Sequence, residues 1–148
     1  MDYTRSITVA GEREAVAALF VDYSTWAEWQ PSLLSIEVLE GAPPAQGARS
    51  RLTFRRGKNG AMVMTETVEL SELPERWSVV YEVAGVHNIC ETRFEKVDAR
   101  TTLVEQRNLF RFTGFMRVVG LLFARSFPAE TQKSLEAFRD FAESRAKS

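Results

Sequence analysis

Reactive side chains are scarce in this chain of 148 residues. Its one cysteine, Cys90, excludes an internal disulfide and suits a reducing compartment. Its one histidine, His87, could complete a zinc site only with carboxylates, so no metal and no other cofactor is expected. No Ser-His-Asp arrangement, phosphate-binding glycine loop or dinucleotide fingerprint is present. The net charge of −1 lacks the basic excess of a protein that grips nucleic acid through a broad positive face. Long apolar runs are also missing. The most apolar stretch, Phe115 to Phe127, contains Arg117 and Arg125 and is too short to span a bilayer, so no stable membrane insertion is expected. The opening residues carry no apolar segment behind a basic start, and a cytoplasmic location is the expectation.

An apolar fraction of 45% and a charged fraction of 26% describe an ordinary globular chain. No repeat, linker or compositional shift divides it, which predicts one domain over residues 1–148 that can bury a core without staples. Nothing in it specifies an oligomeric state.

The hydrophobic period changes along the chain. Tyr3 to Val9 reads as a strand ended by Gly11, after which Ala15, Val16, Leu19 and Phe20 recur at helical spacing. Asp22 or Ser24 can cap a second short helix that carries Trp26 and Trp29 and stops at Pro31. Alternating segments follow. Leu34, Ile36 and Val38 mark one, Leu52 and Phe54 the next, and Lys58-Asn59-Gly60 predicts a tight hairpin into Met62 to Leu70. Trp77, Val79, Tyr81 and Val83 alternate before Gly85, and 87–97 and 101–112 form a final pair. From Phe115 the spacing is helical, and Phe123, Phe127, Thr131, Leu135 and Phe138 share one face. Pro128 cannot donate a backbone hydrogen bond, so a bend or break is expected there. The 19 residues from Pro128 to Ala146 would make a helix about 28 Å long, matching one strand length. This order predicts an α+β fold with one helix lying across an antiparallel sheet of seven strands.

The spacing Phe20-x-Asp22-x3-Trp26-x2-Trp29-x-Pro31, the strand after Gly47, the Leu73-Pro74-Glu75-Arg76 turn and the closing amphipathic helix carry a resemblance over essentially the whole chain. Together they resemble the START and Bet v 1-like (SRPBCC) superfamily, in its polyketide cyclase/dehydrase branch. The resemblance implies a helix-grip fold: a curved seven-stranded sheet wrapped round the C-terminal helix, two short helices after the first strand, and a hydrophobic cavity between helix and sheet. The superfamily has no universal catalytic motif, so no catalytic residue carries over.

The last two strands sort their residues by chemistry. Glu91, Arg93, Glu105 and Arg107 fall on a charged face expected in water, where a cross-strand pair such as Glu91 with Arg107 adds little. The opposite face is apolar except for Asn88, Thr92, Gln106 and Asn108. In a dry core each of these needs a partner or costs about 1–3 kcal/mol. Neutral polar groups on an apolar wall are also what a small-molecule site uses to orient its ligand. The plainer alternative is that they sit at strand ends or satisfy one another. Trp77, Tyr81, Met62 and Met64 extend this wall by alternation, and Phe123, Phe127 and Phe138 would face it from the helix. The expected ligand-binding set is Trp77, Tyr81, Asn88, Thr92, Gln106, Asn108 and Phe127.

Glu66 shares the Met62, Met64 and Val68 face. Buried there, its carboxyl would be pushed up and could act as an acid or base, with Tyr81 as the other proton-transfer candidate. The preferred reading is that the strand twists or bulges and Glu66 reaches solvent. Cys90 reads as a small wall residue, His87 as exposed, and Trp26 and Trp29 as a plug closing one end, with a gate as the alternative. Arg49, Arg51, Arg55, Arg56 and Lys58 read as a solvated edge that discourages aggregation, or else as a contact for an anionic head group or ligand phosphate. The functional expectation is binding of a small hydrophobic molecule, lipid-like or polycyclic. The alternative is a cyclase or dehydratase-like enzyme using the same cavity, and a third class is a partner-binding domain with no ligand.

Overall fold

A computed structural model describes residues 1–146; Lys147 and Ser148, the end of the expected 1–148 span, lie outside the described residues. Strand β1 (Asp2–Ala10) is followed by α1 (Arg13–Phe20), a 3-10 turn (Tyr23–Thr25) and the single helical turn α2 (Trp26–Trp29). Six strands come next: β2 (Leu33–Glu40), β3 (Arg49–Arg56), β4 (Gly60–Glu72), β5 (Arg76–Val83), β6 (Val86–Asp98) and β7 (Thr101–Phe112). Helices α3 (Met116–Leu122) and α4 (Ser126–Ala146) close the chain.

All neighbouring strands are antiparallel, and their order is β1-β7-β6-β5-β4-β3-β2. The first two strands are therefore the two edges of the sheet. The chain between them must travel from one edge to the other, and α1, the 3-10 turn and α2 make that journey across the open side. This is the helix-grip arrangement, with α4 packed along β1 and against α2. Asp22 starts the 3-10 turn by accepting from the Ser24 backbone N–H at 3.1 Å. The Trp26 indole donates to the Phe20 carbonyl at 2.8 Å, which ties α2 back onto α1. Phe20 is the hub of the core, in edge contact with Phe138, Phe94 and Trp77 and tilted against Trp29.

Several details depart from the sequence reading. The helix break precedes Pro128, in the turn at 123–125, and Pro128 sits in the first turn of α4. A first-turn N–H has no partner within the helix, so proline costs nothing there. Phe123 is 53% exposed and does not face the sheet. The hairpin loop is Gly57-Lys58-Asn59, with Gly60 already in β4. A register shift between Leu33 and Ser35 leaves Leu34 and Val38 exposed while Leu33 is buried.

Two glycines dock α3 onto the sheet. Gly120 lies flat on Phe112, where a Cβ would come within 2.6 Å of the ring. Gly85 takes a left-handed conformation (φ +79°) in the β5–β6 turn, beneath the Met116 side chain. The remaining face of α3 covers nothing: Phe115, Val118, Leu121 and Leu122 are exposed.

Candidate functional site

A partly open cavity of about 340 Å³ lies between α4 and the concave sheet face. Phe20, Trp26, Trp29 and Trp77 line its deep end. Phe110, Phe127 and Val86 line it towards the end of the sheet where α3 attaches. Glu130 and Ser134 of α4 are exposed at its margin.

All seven residues of the expected ligand set border this cavity, brought together from β5, β6, β7 and α4. Asn88, Thr92 and Asn108 are buried, and Gln106 is half-buried. The β6/β7 ladder sets Thr92 opposite Gln106 and Cys90 opposite Asn108, so the polar side chains line up along one wall. They form a continuous chain. Asn88 Nδ2 donates to Asn108 Oδ1 at 3.2 Å, Asn108 Nδ2 to Gln106 Oε1 at 3.3 Å, and Gln106 Nε2 to Thr92 Oγ1 at 3.1 Å. Mutual satisfaction thus explains how the fold tolerates them. It does not exhaust them, because each amide has two donors and two lone pairs. The charged face is outside as expected, with one difference in pairing. Half-buried Glu91 accepts from Arg93 at 2.8 Å, while Arg107 forks onto Asp2 at 2.7 and 3.0 Å.

Glu66 overturns the solvent-exposed reading. It is 1% exposed, because the irregularity in β4 falls between Val68 and Leu70, beyond Glu66. The Tyr23 hydroxyl donates to its Oε1, while Oε2 is buried without a hydrogen-bond partner among the described residues. Ser50 and Tyr81 flank Glu66 in the ladders on either side, and Ser50 Oγ is also buried and unpartnered. Burial pushes the carboxyl up to about 7, against the opposing pull of the Tyr23 hydroxyl bonded to it and of the nearby Tyr81 hydroxyl, which completes no hydrogen bond to either oxygen. Burial and the neighbouring carboxylate raise both tyrosines, so they remain hydroxyl donors. Glu66 does not itself border the cavity. Tyr81, its neighbour in the β4/β5 ladder, does. The Cys90 thiol, also on the wall, is pushed up to about 12 by burial and is not a nucleophile.

Other features of the site escaped the sequence reading. Tyr3 lines the cavity from β1 and shares a 2.7 Å hydrogen bond with Thr131 of α4, clasping helix to sheet edge. Its alternation with Ile7 and Val9 was the available signal, interrupted by Arg5. The Trp29 indole N–H is buried with no acceptor among the described residues, at the cavity's deep end. Met62, Phe123 and Phe138 do not line the cavity, Phe138 being packed in the core, whereas Met64 and Phe127 do. Among the described residues no group of three or more His, Cys, Asp or Glu side chains could hold a metal ion.

Similar folds are found in solved structures. The Zhui aromatase/cyclase from Streptomyces sp. R1128 is 19% identical, with a TM-score of 0.76 over 99% of this chain and 95% of that one. Ara h 8.0201 is 12% identical, with a TM-score of 0.77 over 97% and 98%. Norcoclaurine synthase from Thalictrum flavum, solved as a point mutant with a transition state analogue, is 11% identical, with a TM-score of 0.75 over 100% and 96%. At these identities the likeness is one of fold. No curated protein matches the sequence significantly. The family model for polyketide cyclase / dehydrase and lipid transport matches residues 1–143, nearly the whole chain, and the protein belongs to that family.

Proposed function

We propose that the protein binds a small hydrophobic molecule, lipid-like or polycyclic, between α4 and the sheet. One observation carries this reading: an aromatic-lined cavity whose polar groups on the sheet are all neutral, a row of amides and a hydroxyl on β6 and β7 together with Tyr3 and Tyr81. Apolar burial supplies most of the affinity in such a site, and the amides fix orientation. The family's association with polyketide cyclases, dehydrases and lipid transport, and the cyclase and synthase among the structural neighbours, support the same reading.

The apolar fluorophore ANS tests it. Wild-type protein should bind the probe with low- to high-micromolar affinity in the folded state. Asn108→Phe should abolish the cavity signal, because the new ring occupies ligand volume. Asn108→Ala should weaken it only about fivefold, the loss of one hydrogen bond worth about 1 kcal/mol. The exposed side chains of α3 can also take up probe, so the variant rather than the bare signal locates the site. Unchanged binding in folded Asn108→Phe places the probe elsewhere, and no binding by wild type favours the partner-binding class.

The Tyr23–Glu66–Tyr81 cluster favours a second reading, proton-transfer chemistry of the cyclase or dehydratase kind. Tyr81 would hand its proton to a carbonyl oxygen in the cavity and take a replacement from the Glu66 carboxyl behind it. A carboxyl held near 7 suits that exchange at neutral pH. The Tyr81 hydroxyl favours the ionised carboxylate, so Tyr81→Phe should move the Glu66 titration, followed by carbon-detected NMR of the labelled carboxyl, to higher pH. An unmoved titration would disconnect the two groups and remove the relay.

A further inference from the structure

Five of the nine large apolar side chains exposed among the described residues fall within nine consecutive positions, 115–123. Leu121 is 81% exposed and Leu122 73%, and Phe115, Val118 and Phe123 surround them. The cluster stands on α3 and the residues that flank it. Its electrostatic setting is one-sided. No acidic residue occurs between Glu105 and Glu130, a span that contains Arg107, Arg111, Arg117 and Arg125. Arg111, Arg117 and Arg125 are exposed and make no ion pair among the described residues.

The strand register adds to this. Val86 pairs with Phe112, Val83 with Val86, and Arg56 with Gly60, so the β3–β4 loop leaves the sheet at the same end as α3. Of the basic cluster on β3, Arg49 and Arg51 are held by Glu40 and Glu37 across the β2/β3 ladder. Arg55, Arg56 and Lys58, at this end, make no ion pair among the described residues. Of the acids here, Asp2 is paired with Arg107, while Glu82 and Glu130 are exposed.

We infer that α3 and its flanking arginines rest on an anionic lipid surface, with Leu121, Leu122 and Phe115 entering the headgroup boundary and the arginines meeting the phosphates. Apolar side chains bordered by basic ones are the composition of an interfacial helix. No helix among the described residues is long and apolar enough to cross a membrane, so the attachment is peripheral. A second copy of the chain is a poorer occupant, since a symmetric contact between two copies of a stretch with no acid from 106 to 129 would bring arginines of both copies together. The position is apt. Gly120 of α3 sits on Phe112, Phe112 touches Phe127 at 5.6 Å, and Phe127 lines the cavity. The docked surface therefore lies two side chains from the ligand site, although the docking itself depends only on the exterior.

Flotation of the intact protein with lipid vesicles tests this. Vesicles of phosphatidylcholine with about a third phosphatidylserine should bind at least about tenfold more tightly than phosphatidylcholine alone, and raised salt should release the protein. Leu121→Gln with Leu122→Gln should weaken binding more than about tenfold, through lost apolar burial. Arg117→Gln with Arg125→Gln should weaken it about tenfold on the anionic vesicles only. All four side chains are exposed, so far-UV circular dichroism and the thermal midpoint should not move, and the ANS signal that Asn108→Phe removes should persist. No binding to either vesicle, equal binding to both, or full binding by folded variants overturns the inference. So does a wild-type oligomer that Leu121→Gln with Leu122→Gln converts to monomer, which would assign this face to self-association.

Discussion

Phe138→Ala is expected to lower the unfolding free energy by about 4 kcal/mol and the thermal midpoint by about 10 °C. Phe138 is 0% exposed and is the point where α4 meets the crossing helices. Its ring stands edge-on to Phe20 at 5.0 Å and to Trp29 at 5.2 Å. Truncation removes a buried ring and two aromatic contacts at once, and the rigid neighbours on α1 and α2 cannot collapse into the gap. Phe20 and Trp29 also line the cavity, so the new void opens towards it. An apolar ligand in excess should then restore part of the lost midpoint, since it binds only the folded state. A loss below about 1.5 kcal/mol in denaturant titration would show that α4 is not clamped at this position.

The second large effect is a dependence of stability on pH carried by Glu66. Its carboxyl ionises near 4.5 in the unfolded chain and near 7 in the folded one. Between these values the folded state holds a proton that the unfolded state has released, so stability falls as pH rises. The favourable contribution is complete below about 4.5 and lost above about 7. A shift of this size corresponds to about 3 kcal/mol. Asp2 and Glu14 are held below the usual carboxylate range and have the opposite slope, so the comparison that isolates Glu66 is wild type against Glu66→Gln. The difference between the two unfolding free energies should change by about 3 kcal/mol from pH 4.5 to pH 7.5 in that comparison. A constant difference would mean that Glu66 is ionised throughout, which would also withdraw it as a proton source for Tyr81.

Alternation made β6 and β7 legible from sequence, because one face of each strand carries full charges and the other does not. With a period of two, that contrast fixes register and inside from outside together. The cavity wall followed from it, including the row Asn88, Thr92, Gln106 and Asn108. Glu66 was misjudged for a physical reason: a lone carboxylate on an apolar face has no sequence signature for its partner. Tyr23 lies 43 positions away and reaches Glu66 only because the chain crosses between the sheet edges after β1. The same crossing brings Trp29 to the cavity's deep end. Helical spacing placed Phe127 and Phe138 correctly but carried Phe123 with them, because the pattern does not record that the helix restarts at Ser126. Local periodicity encodes the walls of this fold, whereas long-range closure determines which polar groups meet behind them.

The row of amides on β6 and β7 has a direction. Asn88 Nδ2 also faces the carbonyls of Ile89 and Leu109, at 3.3 and 3.5 Å, which holds that amide in one orientation. Every bond after it then points the same way, towards Thr92, whose oxygen accepts from Gln106 and whose hydroxyl also favours the Cys90 thiolate. At the other end, beside Tyr81, the Asn88 side-chain oxygen remains to accept. Thr92 lies opposite Trp77 in the β5/β6 ladder, at the deep end. The wall therefore behaves as a line of aligned dipoles with its positive end towards Thr92 and its free acceptor beside Tyr81. Under the ligand-binding reading proposed above, such a wall would favour one orientation of a guest, with an acceptor oxygen leading towards Thr92.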